Sequence, residues 1–173
     1  MTNQHNPDED LRRLAHMIKD IKFTMLTSVN DDGSMHSRPM ATQKIDEDTF
    51  DGRLWFFTKK NAGKVHEIEH DQHVNLAYAS LEKQHFVSVS GRAFVTNNEA
   101  KMAELWTPAL NAWFPEGLDD PEISLIGVTI ETAEIWDTPS SKLIHAYGIV
   151  KSAIIGKPFE QTGHSERLRI QPS

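Results

Sequence analysis

Apolar positions recur along this chain first at helical spacing and then at strand spacing. Leu11, Leu14, Ala15, Ile18 and Ile21 fall on one face of a helix. Pro7 suits the first helical position, and Asp8, Glu9 and Asp10 suit a first turn. Residues 23–29 read as a strand, Asn30-Asp31-Asp32-Gly33 as a hairpin turn, and residues 35–44 as the returning strand. Pro39 inside that strand requires an edge, a bulge or a missing ladder bond. An acidic loop over 45–52 leads to a third strand at 53–58 and a short helix at 63–70. Strands follow at 74–79 and 85–95. Thr96 and Glu99 have capping-box spacing, which starts a helix near Asn97 that runs to Leu105. Residues 106–117 are aromatic and punctuated by proline. Residues 124–136 form one or two strands, with Val128 and Ile130 alternating against Thr129 and Glu131. Leu143, Tyr147, Val150 and Ile154 then share a helical face, which Gly148 weakens by about 1 kcal/mol relative to Ala. Strands dominate and their connections are short. The class is therefore mainly β, a closed or partly closed antiparallel barrel with peripheral helices.

Composition narrows the function classes. A chain of 173 residues with 38% apolar and 25% charged side chains supports a single domain with a real core. It contains no cysteine, which excludes disulfides, thiolate metal sites and thiol nucleophiles. No stretch approaches the roughly 18–20 apolar residues of a membrane span. A net charge of −7 argues against general nucleic-acid binding. The polar, acidic N-terminal ten residues do not resemble a signal peptide, and a cytoplasmic location is expected.

The most informative chemistry lies between the third strand and the helix after it. An aromatic run, Leu54-Trp55-Phe56-Phe57, enters a loop bearing Lys59, Lys60 and Lys64, and the helix starts at or just after Gly63. Backbone N–H groups, a helix N-terminus and ammonium groups converge there, an arrangement that suits a phosphate. The aromatic strand beside it could wall a flat ring; the plain alternative is a buried strand and a solvated turn. His66-Glu67-Ile68-Glu69-His70 matches the H-E-x-x-H zinc pattern. The helix is short, Glu69 adds a second acid and no third ligand is identifiable, so a solvated helix face is preferred and no metal is expected. No G-x-G-x-x-G, complete P-loop or G-x-S-x-G is present.

The helix, the Asp-Asp-Gly turn, His36-Ser37-Arg38-Pro39-Met40, Leu54-Trp55-Phe56-Phe57-Thr58, the lysine loop and Ala133-Glu134-Ile135-Trp136-Asp137 occur in one order. Together they resemble the flavin-binding split barrels related to pyridoxamine 5′-phosphate oxidase, of the general stress protein 26 type, over residues 11–158. The resemblance implies a six-stranded antiparallel split barrel spanning 1–158, with 159–173 a C-terminal tail. It implies a homodimer with FMN at the interface, FAD or a deazaflavin being the alternatives left open. Ser37, Arg38, Pro39, Met40, Phe57, Thr58 and Lys64 carry over as flavin contacts, with Lys59 a further cation. Arg38 and Lys64 are the phosphate candidates. Trp106, Trp113 and Phe114 read either as an aromatic lid over the flavin or as dimer packing. The chain has Ala62-Gly63-Lys64 where the oxidase has Ser-Arg-Lys. Arg167–Pro172 does not match the oxidase's C-terminal Arg-Leu-x-Pro segment, so vitamin B6 oxidation is not carried over. The expected activity is electron or hydride transfer between a reduced nicotinamide and a small redox substrate, with a non-catalytic flavin carrier or sensor as the alternative. No catalytic residue is assigned.

Overall fold

A computed structural model describes residues 6–137 and 164–170. Helix α1 (Pro7–Ile18) opens with Asn6 as its N-cap, the side chain accepting from the Asp8 amide at 3.2 Å. The expected apolar face forms as read: Leu11, Leu14, Ala15 and Ile18 are buried, joined by Met17. The helix ends at Ile18, so Ile21 packs on the core from the linker instead.

Strands β1 (Phe23–Val29) and β2 (Met35–Ala41) form the predicted hairpin, in register from Phe23 opposite Ala41 to Val29 opposite Met35. Gly33 turns it at φ +82°, a left-handed conformation that favours glycine. β3 (Arg53–Lys59), α2 (Gly63–His70), β4 (His73–Ser80) and β5 (His85–Thr96) follow close to their expected bounds. The next helix, α3 (Glu99–Leu105), is capped by Asn98 rather than Thr96; the Asn98 side chain accepts from the Lys101 amide at 2.9 Å. Short 3-10 turns at Pro108–Ala112 and Gly117–Asp119 cross to β6 (Ile123–Asp137), a single strand.

All pairings are antiparallel, in the order β2-β1-β4-β5-β6-β3. The long β6 organises this sheet. One edge follows β5 along its length, with an irregularity at Ser90/Gly91. Its other edge pairs β3 over residues 123–129 and then β7 (His164–Arg169) over residues 132–137. β7 corrects the reading of this stretch as tail: Leu168 and Ile170 are buried in the main core. The alternation Glu166, Leu168, Ile170 is too short and too interrupted by arginine to announce a strand in sequence. Pairing with the free edge of β6 determines it. The predicted helix around Leu143–Ile154 lies outside the described residues.

β2 and β3 end the path, and no ladder joins them. Just after β2, the Gln43 amide donates to the Trp55 carbonyl of β3 at 3.0 Å. The barrel is split between β2 and β3, and Pro39 sits on the edge strand as its missing N–H requires. The barrel interior is filled by Leu14, Ile18, Leu26, Phe56, Leu76, Tyr78 and Ile126, among others. A second, smaller cluster lies outside β3 and β6, where Phe57, Met102, Leu110, Phe114, Ile123 and Leu125 pack with Trp106. Gly127 permits this side of the sheet to close: a Cβ there would stand 2.4 Å from the Phe94 ring. Phe94 in turn meets Trp55 edge-on at 5.7 Å.

Candidate functional site

The split between β2 and β3 opens into a cavity of about 410 Å³. The ends of two strands supply its walls. From β2 and the chain after it come Pro39, Met40, Ala41 and Gln43; from β3 come Phe57, Thr58 and Lys59. Phe23 enters from β1 because the hairpin register sets it beside Ala41. Leu110, Trp113 and Phe114 reach in from the turn after α3, and Asn61, Ala62 and Lys64 from the start of α2.

Two kinds of surface therefore share one cavity. The apolar part is an aromatic corner. Phe57 lies 6.2 Å from Phe114 and edge-on to Trp106 at 5.5 Å. Trp106 does not line the cavity; it stands behind Phe57 and fixes that ring. Trp113, in contrast, lines the cavity while 67% exposed, which is unusual for an indole.

The polar part is built on the start of α2. Its N-cap is Ala62, no side chain caps the helix, and no acidic residue occupies the first turn. Helix starts leave amide groups without intrahelical acceptors and carry partial positive charge. Lys64 adds a full charge to the same wall. Burial, followed by the nearby charge of Arg38, holds the Lys64 ammonium below its ordinary pKa of 10.5, against a smaller opposing pull from Glu67. An ammonium depressed in this way gains from any anion brought beside it. The donor set thus fits a phosphate, and the adjoining aromatic corner fits a flat ring.

Of the residues proposed from sequence, Pro39, Met40, Phe57, Thr58, Lys59, Lys64 and Trp113 meet in this cavity. Ser37, Arg38 and Trp106 are not among its lining residues. Ser37 points to the outer face of the sheet and shares a hydrogen bond with Thr27, 2.7 Å. Arg38 points into the barrel end, where Nη1 donates to Ser28 Oγ and Nη2 to Glu67 Oε2 at 2.5 Å. Lys60 turns away, donating to the Pro121 carbonyl at 2.6 Å. Gln43, Phe23 and Leu110 were not found from sequence, because each arrives through strand register or chain crossing. Asn61, Ala62 and Phe114 were within segments already singled out.

The α2 face is not uniformly solvated. Glu67 is buried, accepts from Ser28 Oγ and Arg38, and meets His36 Nδ1 at 3.5 Å. Burial raises its proton affinity, but those hydrogen bonds and the Arg38 charge outweigh it and hold the carboxyl below its ordinary range. Glu67 therefore lies away from His66 and His70, which stay exposed and face Asp31 at 3.3 and 3.8 Å. The acid of the H-E-x-x-H pattern is engaged elsewhere.

An antiparallel split barrel with a ligand-sized cavity at its open seam defines the class. The chain matches the pyridoxamine 5′-phosphate oxidase like family over residues 9–160 and belongs to it. Protein bli-3 of Neurospora crassa is 26% identical over 160 residues, covering 87% of this chain and 76% of that protein. A general stress protein 26 from Jannaschia sp. CCS1 superposes with TM-score 0.73 at 21% identity, over 93% of this chain and 99% of the other. The general stress FMN/FAD binding protein from Xanthomonas citri gives TM-score 0.65 at 29% identity, over 77% and 92% respectively.

Proposed function

We propose that this chain is a flavoprotein that holds FMN in the cavity between β2 and β3. The carrying observation is the uncapped start of α2, with Lys64 beside it, in a cavity that also carries an aromatic corner of Phe57, Trp113 and Phe114. The 29% identical Xanthomonas citri protein, an FMN/FAD binder by name, supports the same reading. The Lys64 ammonium and the Gly63 and Lys64 amides would hold the phosphate. Phe57, Phe114 and Trp113 would flank the ring and exclude water from it. Bound flavin supplies electron or hydride transfer, and the protein's part is to orient the cofactor and set its surroundings. The proposed reaction class is transfer between a reduced nicotinamide and a small acceptor.

We further propose a homodimer. Phe23, Met25 and Met35 are 52%, 42% and 78% exposed on the outer face of the β1–β2 hairpin, which continues into the cavity through Phe23, Pro39 and Ala41. A second copy on this face would cover apolar side chains and complete the cavity wall. Met35→Asp should shift the protein towards monomer by light scattering; a parent protein that is already monomeric would remove the proposal.

The test of flavin binding is a fluorescence-quenching titration with FMN, FAD, a deazaflavin and riboflavin. Saturation at one FMN per subunit, tighter than riboflavin, is expected. Failure of every flavin to bind would overturn the reading. One observation favours a carrier or sensor without turnover: Lys59 and Lys64 are the titratable residues among those lining the cavity, and no acid–base pair faces it. Steady-state oxidation of a reduced nicotinamide by the FMN-loaded protein separates the two readings.

A further inference from the structure

We propose that Glu67 is an internal anion that competes with the ligand's phosphate for Arg38. The proposal deepens, and rests on, the phosphate-binding reading of the α2 start. Glu67 lies one helical turn after Gly63 and Lys64, and its carboxylate folds back towards that start. Its Oε1 stands 3.9 Å from the position a Cβ on Gly63 would occupy. Oε2 accepts from Arg38 and Ser28, and Oε1 faces His36. Both terminal nitrogens of Arg38 are therefore engaged inside the protein. The same guanidinium is near enough to Lys64 to disfavour its ammonium.

The start of α2 thus gathers two cations with one anion already seated on one of them. Without Glu67, Arg38 would be a largely buried charge lacking a counter-ion, which is costly in an empty site. With Glu67, the empty site is electrostatically satisfied. An arriving phosphate offers the planar Arg38 guanidinium two oxygen acceptors, while Ser28 and His36 remain to hold the released carboxylate. Glu67 therefore stabilises the empty protein at the expense of ligand affinity and makes release easier. It is a positioning residue acting through Arg38.

The test titrates the parent and Glu67→Gln with inorganic phosphate, FMN and riboflavin. Glu67→Gln should tighten both phosphate-bearing ligands by about tenfold, the scale of one unit charge removed several ångströms from the phosphate in a partly solvated site. Riboflavin affinity should not change. In the parent, saturating phosphate should shift the Glu67 carboxyl carbon and Arg38 guanidinium resonances together, a readout that needs no variant. Unchanged or weaker phosphate and FMN binding in folded Glu67→Gln would overturn the proposal. So would resonances that phosphate leaves unmoved. Tighter phosphate binding in the variant, with no flavin bound by either protein, would support the competition and overturn the flavin reading alone.

Discussion

Helices α1 and α2 begin in opposite ways. α1 has Asn6 as N-cap, Pro7 at its first position and Asp8, Glu9 and Asp10 in its first turn. A capping side chain, a proline and first-turn acids all stabilise this start, and Asn6, Pro7, Asp8 and Glu9 are exposed. α2 begins at Ala62 with no capping side chain and no acid, and places Lys64 in the first turn, where a positive charge opposes the helix dipole. α2 also lines the cavity that carries the aromatic corner. A helix that forgoes local stabilisation at a cavity wall leaves its donors to a ligand. A helix that takes all of it is scaffold.

The comparison can be broken by mutation, and the largest effect should come from Lys64. Lys64→Ala should weaken FMN by about a hundredfold, as expected for a lost charge-assisted hydrogen bond, with riboflavin little affected. Equal losses for both flavins would show that Lys64 does not meet the phosphate. Next, Ala62→Asp gives α2 the start that α1 has. It should raise thermal stability while weakening FMN by about tenfold, because a carboxylate then occupies the anion's place. Tighter FMN binding in this variant would contradict the comparison. Third, Asn6→Ala should cost about 1 kcal/mol in urea unfolding and leave FMN affinity unchanged.

The smallest effect is on pH dependence. Lys64 has its pKa lowered in the empty site by burial and by Arg38. Below that lowered pKa the lysine is charged, and its burial costs native-state stability. That cost is relieved as pH rises from the lowered value to the ordinary 10.5 of the unfolded chain. A bound phosphate reverses the shift by favouring the charged form. FMN affinity should therefore hold steady at neutral pH and fall as pH rises through the empty-site pKa of Lys64. Proton uptake should accompany binding in that alkaline window, measurable by calorimetry in buffers of different ionisation enthalpy and absent in Lys64→Met.

Much of this fold is legible in the sequence because each signal is local. The Asp-Asp-Gly turn, the strand over 23–29 and the helix start at Gly63 follow from neighbouring residues. The phosphate-like corner was legible for the same reason, since Lys59, Asn61, Ala62 and Lys64 are consecutive or nearly so. Arg38 and Glu67 show the opposite case. They stand 29 positions apart, and nothing near either one announces that they bond. Arg38 could be read as a phosphate fork and Glu67 as a solvated face, yet each satisfies the other in the barrel end.

By itself, the sequence determined the order of elements, the ladder bond that Pro39 denies its strand and the aromatic strand leading into a lysine-bearing helix start. Those are consequences of backbone sterics, side-chain periodicity and local hydrogen bonding. Tertiary structure alone decided that β6 would hold β3 and β7 on one edge, that Phe23, Gln43 and Leu110 would meet at the open seam, and that Arg38 would turn inward to Glu67. These depend on long-range register and on the need to pair every buried charge, and neither is written in any short stretch of the chain.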